Sequence, residues 1–98
     1  MAEQSRIRVA VNGYGVIGKR VADAVAAQDD MEIAGVADIT ADWRLRMAAR
    51  KGFLLYASAE ERRASMRDAG LELSGTLDDL LGTADVIVDC TPKKVAAR

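Results

Sequence analysis

The chain has 98 residues, half of them apolar and 30% charged, with 14 basic against 15 acidic side chains and a net charge of −1. That balance excludes the basic stripe of a nucleic-acid or anionic-membrane binder, and no apolar run approaches the roughly 18 residues of a membrane span. Histidine is absent and Cys90 is the single cysteine, which removes the usual zinc ligand sets, the commonest general base and any internal disulfide.

The length suits one domain over residues 1–98, burying roughly 65% of its unfolded surface. Residues 1–6 lack the apolar stretch of a signal peptide and read as a polar lead-in, and a lone cysteine fits a reducing cytoplasm. Residues 7–11 (Ile-Arg-Val-Ala-Val) predict a strand with a β-branched core. After a glycine-rich turn, Ile17, Val21, Ala24, Val25 and Ala27 share one helical stripe, and Asp29-Asp30 breaks it. Residues 31–37 predict a second strand, closed by Asp38. Asp42 is placed to cap a helix carrying Trp43, Leu45, Met47 and Ala48, with Trp43 and Phe53 expected as core or interface anchors. Residues 53–56 predict a third strand. Ser58-x-x-Glu61 reads as a capping box for a helix stopping at Gly70. Residues 71–74 predict a brief strand, and Thr76 with Asp79 opens a short helix ending at Gly82. Residues 85–90 predict a last, buried strand, stopped by Thr91-Pro92, and residues 93–98 resemble the opening of another helix.

Alternating strands and helices with short connections imply an α/β fold: a Rossmann-like open parallel sheet with flanking helices, ending after the first mononucleotide-binding half. The first strand is expected between the second and the last.

Gly13-Tyr14-Gly15-Val16-Ile17-Gly18 joins the first strand to the first helix. In a G-x-G-x-x-G turn of this kind the first glycine permits a sharp bend. The second lets backbone approach a pyrophosphate, and the third lets the helix pack closely on the strand. The N–H groups near Val16 and Ile17 would point at phosphate oxygens, helped by the positive end of the helix dipole. Asp38 ends the next strand twenty residues after Gly18, the spacing of a carboxylate that accepts hydrogen bonds from a ribose diol and repels a 2′-phosphate. The expected ligand is a nicotinamide dinucleotide, NAD ahead of NADP. The bland reading of Asp38 is a polar turn former at a strand end. Arg44, Arg46 and Arg50 lie downstream and could reach a 2′-phosphate, or simply form a solvated helix face. Gly13-x-x-x-x-Gly18-Lys19 also matches a phosphate loop up to its last position, but Arg20 stands where a magnesium-binding hydroxyl is required. Cys90, with no histidine to activate it, reads as an inert buried thiol.

The motif around Gly13, together with Gln28-Asp29-Asp30-Met31, Arg46-Met47-Ala48, Leu55-Tyr56, Ser74-Gly75-Thr76 and Asp89-Cys90-Thr91-Pro92, resembles the opening of archaeal-type (type II) glyceraldehyde-3-phosphate dehydrogenase. The resemblance covers nearly the whole chain. It implies the cofactor-binding domain of a cytoplasmic, homotetrameric enzyme of glycolysis. Members of that family oxidise their aldehyde with NAD or NADP and inorganic phosphate, through a thioester on a cysteine. It implies cofactor contacts from Val16 and Ile17 and places the Thr91-Pro92 turn near the nicotinamide side; with the turn read from its own motif, the expected cofactor-binding residues are Gly13, Tyr14, Gly15, Val16, Ile17, Gly18, Asp38, Thr91 and Pro92. Val16 replaces a usual threonine, and Asp38 stands where members often carry lysine, which weakens NADP binding. Residues 1–98 stop short of the family's catalytic cysteine, Cys90 does not match its motif, and no catalytic residue carries over. The chain alone is expected to bind weakly and not turn over. Two readings stay open beside this one. One is a non-catalytic nucleotide-binding or self-associating scaffold. The other is the Rossmann domain of another small-metabolite reductase, such as a homoserine dehydrogenase or dihydrodipicolinate reductase relative.

Overall fold

The computed structural model describes residues 6–39 and 43–91. Strand β1 (Ile7–Asn12) buries Val9, Ala10 and Val11 in succession. Continuous burial, rather than alternation, marks a parallel strand covered on both faces. Helix α1 (Val16–Ala26) turns Gly18, Ala22 and Val25 inward, an i, i+4, i+7 stripe that follows from the 3.6-residue repeat. Then come β2 (Met31–Asp38), α2 (Trp43–Arg50) and β3 (Leu55–Ala57). A 3-10 turn over Glu60–Arg62 leads into α3 (Arg63–Asp68), followed by β4 (Leu73–Thr76), α4 (Leu77–Leu81) and β5 (Val86–Asp89).

The five strands form one parallel sheet in the order β4-β3-β2-β1-β5, with β1 between the second and the last strand as expected. β1 runs beside β2 from Ile7 opposite Met31 to Asn12 opposite Ala37, and beside β5 from Val9 opposite Val86 to Asn12 opposite Asp89. The chain therefore starts in mid-sheet, winds outward through three strands and crosses back to the far side of β1. Ala22 of α1, Leu45 and Ala48 of α2 and Met66 of α3 pack with Val11, Val36 and Leu55 on one face. Leu80 of α4 packs with Ala10, Ala34 and Tyr56 on the other. Full burial of side chains such as Leu45, Met66 and Leu80 contributes about 1.5–3 kcal/mol each. The glycine turn after Asn12 lies at the carboxyl end of β1, beside that of β5, and α1 and α4 flank opposite faces of the sheet, the arrangement of a switch point in an open α/β sheet.

Six expectations need correction. The inward stripe of α1 is Gly18, Ala22 and Val25, with Ile17, Ala24 and Ala27 exposed. The fourth strand is Leu73–Thr76 and not residues 71–74. The third strand is Leu55–Ala57, with Phe53 and Leu54 in the approach to it. Ser58 caps no helix: the 3-10 turn begins after Ala59, α3 has no side-chain cap, and the Ser58 hydroxyl is bonded elsewhere. Among the described residues the last strand is an edge strand and is not buried; Val86 is 47% and Ile87 41% exposed, because of the described strands only β1 pairs with it. Trp43 is no core anchor either: it is 62% exposed, with the Arg44 guanidinium 5.0 Å from its ring centre, and Phe53 is half-buried. The second capping signal does form, since the Asp79 carboxylate accepts the Thr76 backbone N–H at 2.9 Å. Asp42 and residues 93–98 lie outside the described residues.

Candidate functional site

The carboxyl ends of four strands meet around the glycine turn, and their ladders run one step past the strands. Gly13 N–H donates to Ala37 O (2.7 Å), Cys90 N–H to Asn12 O (2.8 Å) and Ser58 N–H to Asp38 O (2.8 Å). The Ser58 hydroxyl donates to Asn12 Oδ1 at 2.6 Å, tying the end of β3 to the end of β1. After β5, Asp89 Oδ1 accepts both the Thr91 N–H (3.2 Å) and the Thr91 hydroxyl (2.8 Å), which bends the chain toward Gly13.

The three glycines have separable reasons. Gly13 has φ +95°, and a Cβ there would lie 3.0 Å from Cys90 C and Thr91 N, so the bend and the close approach of the β5 turn both need glycine. A Cβ on Gly18 would run into Gly13 O, so α1 packs on the turn only because that atom is missing. Gly15 differs. Its φ is −85°, and a Cβ there would have nothing within 4 Å. Neither strain nor packing among the described residues calls for glycine at this position, and the space above its backbone is open.

Gly15 also ends α1 as its N-cap, without a side-chain cap and with no acidic residue in the first turn. Lys19 N–H donates to Gly15 O at 2.9 Å, and the amides of Val16 and Ile17 have no hydrogen-bond partner among the described residues. Val16 and Ile17 are 55% and 59% exposed, so those donors stand at the surface at the positive end of the helix dipole. Uncapped amides at a helix N-terminus are donors available to an anion.

Asp38 stands at the rim, half-buried, at the end of β2. Its Oδ2 accepts the Tyr14 N–H at 2.9 Å and its Oδ1 the Ile39 N–H at 2.7 Å. Each oxygen keeps a further lone-pair site, since an ionised carboxylate accepts at about four positions. Asp38 is thus both a brace of the glycine turn and a charged acceptor beside it.

Tyr14 contributes nothing at the surface of this turn. Its N–H belongs to Asp38 and its ring is buried in the core under α1 and α2. Its hydroxyl has no hydrogen-bond partner among the described residues, and burial pushes its pKa up. Nearby, Asp23 accepts hydrogen bonds from Lys51 (2.7 Å) and Lys19 (3.2 Å). The Lys51 bond, then the Lys19 bond, hold the Asp23 carboxyl below its ordinary range, and Asp23 raises Lys51 in return. Thr91 lies beside Gly13, its donors turned to Asp89; Pro92 lies outside the described residues. Cys90 is half-buried, and burial and then the Asp89 charge raise its thiol, which suits no nucleophile. Among the described residues no cluster of three or more metal-ligating side chains exists, and no helix is long and apolar enough to cross a membrane.

Asn12 and Asp89 are structural members of this rim to which the sequence reading gave no such role, and Ser58, read there as a helix cap, is a third. The available signal was a polar residue closing each apolar run immediately before a turn: Asn12 before Gly13, and Asp89 before Cys90-Thr91.

Comparison with known proteins bears on the same region. The chain is 53% identical over 92 residues to a glyceraldehyde-3-phosphate dehydrogenase of Methanothermobacter thermautotrophicus, and 50% identical over 90 residues to one of Methanothermus fervidus. These alignments cover 94% and 92% of this chain but 27% of each relative, so the chain spans about a quarter of the length of the proteins it matches. An NAD-binding protein of Listeria innocua is 20% identical, with a TM-score of 0.47, over 89% of this chain and 34% of that one. The family described as dihydrodipicolinate reductase, N-terminus, matches residues 7–98. By that match, over a parallel Rossmann-like sheet whose glycine turn lies at the switch point, the chain belongs to the dihydrodipicolinate reductase N-terminus family.

Proposed function

We propose that the chain binds a nicotinamide dinucleotide, NAD in preference to NADP, as the cofactor-binding part of a phosphorylating glyceraldehyde-3-phosphate dehydrogenase. The observation that carries the reading is the open space at Gly15 above the unpaired amides of Val16 and Ile17. Gly13 and Gly18 shape that cradle for the pyrophosphate, with Tyr14 acting only through its braced backbone. Asp38 accepts the 2′- and 3′-hydroxyls of the adenine ribose with the lone pairs that Tyr14 and Ile39 leave free, and its charge opposes a 2′-phosphate. Thr91 and Pro92 flank the nicotinamide end. The nicotinamide, when bound, supplies a hydride acceptor.

Identity of 50–53% to named glyceraldehyde-3-phosphate dehydrogenases supports the parent activity. The assignment extends to a cytoplasmic homo-oligomer whose catalytic cysteine lies outside these 98 residues. Hydride transfer needs a substrate and a nucleophile held against the nicotinamide. This chain supplies neither, so alone it binds cofactor without turnover. The family match favours a second reading, the cofactor domain of a reductase acting on another small metabolite.

Calorimetry with NAD and NADP on the 98-residue chain tests the cofactor assignment. NAD should bind more tightly, and Asp38→Ala should weaken NAD by about 1–3 kcal/mol through loss of a charged acceptor. Unchanged NAD affinity in Asp38→Ala, or tighter NADP binding by the parent chain, overturns it. Assaying the intact polypeptide for phosphate-dependent aldehyde oxidation separates the dehydrogenase from the reductase.

A further inference from the structure

A concavity lies away from the glycine turn, at the opposite end of the sheet. It has a volume of about 750 Å³ and sits where β3 and β4 begin, beside the carboxyl end of α2. Sites for small organic ligands have volumes of roughly 300–1,000 Å³ and combine an apolar floor with a few convergent polar groups. Both parts are present here. Phe53, Leu54 and Leu71 supply apolar surface, and Arg46 and Arg50, one turn apart on α2, supply two guanidinium groups on one wall.

Arg46 is held in place. Its Nη2 donates to Ala69 O at 2.6 Å, and its Nη1 would lie 3.7 Å from a Cβ on Gly70, so it rests against bare backbone. The bond to Ala69 uses one of the five guanidinium N–H donors and leaves the others for a ligand. The Arg50 side chain makes no hydrogen bond or ion pair among the described residues. The lining from the β4 side includes Glu72 and Ser74. One carboxylate against two guanidinium groups leaves a single net positive charge, which admits a monoanion and disfavours a polyanion such as a nucleotide.

We propose that this cavity is a second ligand site, for a small monocarboxylate with an apolar body, its carboxylate held by Arg46 and Arg50 and its body laid on Phe53, Leu54 and Leu71. A planar guanidinium fork matches a carboxylate in two-point contact, and Arg46 is already oriented for it. The site is independent of dinucleotide binding at the glycine turn, because no residue lining it belongs to that turn.

The test is a titration of the ¹⁵N-labelled 98-residue chain with 2-naphthoate, read from backbone amide shifts. Saturable shifts are expected at Gly52, Gly70, Leu71 and Ser74, with Gly15 and Val16 unmoved. The uncharged 2-naphthol and inorganic phosphate should each bind at least about tenfold more weakly, the first lacking the charge-assisted bonds and the second the apolar body. The double variant Arg46→Gln, Arg50→Gln should lose affinity by about tenfold or more while keeping dispersed spectra elsewhere. Leu54→Ser, at an exposed position, should weaken binding with both arginines intact. Absence of saturable shifts at these amides overturns the proposal. So does equal affinity for 2-naphthol, or naphthoate binding unaffected in the double arginine variant.

Discussion

Adding one methyl group at Gly15 separates ligand binding from folding. Alanine at this N-cap costs about 0.5–1 kcal/mol relative to glycine. It recovers about 0.4–1 kcal/mol by restricting the unfolded chain, since φ −85° suits any residue and nothing lies within 4 Å of the new atom. The two contributions nearly cancel, so Gly15→Ala should unfold within a few degrees of the parent, where 1 kcal/mol is worth roughly 4–8 °C in a domain this size. Binding should respond differently. A methyl group in the cradle keeps phosphate oxygens off the Val16 and Ile17 amides, and each charge-assisted bond lost is worth about 1.5–3 kcal/mol. One such loss weakens NAD roughly 10- to 150-fold. Gly18→Ala behaves in the opposite sense. Its Cβ meets Gly13 O, so backbone must move, at a cost of about 1–3 kcal/mol of stability or more. Gly13→Ala forces a non-glycine residue to φ +95° against Cys90 and Thr91, again about 1–3 kcal/mol. Thermal unfolding and NAD calorimetry on the three variants give the comparison. Parental NAD affinity in Gly15→Ala, or a loss of stability as large as that of Gly18→Ala, refutes the reasoning.

Further outcomes follow from the same geometry. Tyr14→Phe removes a buried hydroxyl without a partner, so it should stabilise the fold by about 1–3 kcal/mol in a denaturant titration and leave NAD affinity unchanged. Ser58→Ala frees Asn12 Oδ1 and should cost about 0.5–1.5 kcal/mol in the same titration. The Asp23 carboxyl titrates below its ordinary value when folded, so its contribution is full above about pH 4 and is lost as pH falls through the folded value. Lys51 is raised, so its contribution is full below its ordinary range and lost as pH climbs through the folded value. Asp23→Asn should flatten both limbs of a stability–pH curve, by a small amount that added salt reduces further. Ile87→Lys places a charge on the exposed β5 edge and should lower any concentration-dependent association seen by light scattering.

What the sequence disclosed is what local chemistry determines. Residues 13–18 gave away the turn because three glycines at fixed spacing serve a bend, an opening and a helix contact, each visible in the geometry of Gly13, Gly15 and Gly18. The place of Asp38 at the end of β2 was legible in the sequence, though its bond to the Tyr14 amide was not, since that bond depends on two strand ends meeting. The errors came from long-range use of local signals. Ser58 carries the pattern of a helix cap, but β3 ends next to Asn12 and the hydroxyl goes there instead. Val86 and Ile87 have a buried strand's composition, and only the sheet order leaves them at an edge. Tyr14 belongs to the motif by position, yet the direction of its Cβ sends the ring into the core. The cavity beside Arg46 has no linear signature, because it is assembled from α2 and the approaches to two strands.

The most direct test follows the backbone amides of the 98-residue chain as NAD is added. Saturable shifts are expected at Gly15, Val16 and Ile17 and at Asp38–Ile39, with the amides at the start of β3 and β4 unmoved. Saturation without movement of the Val16 and Ile17 amides, or no saturation at all, would contradict a dinucleotide cradle at this turn.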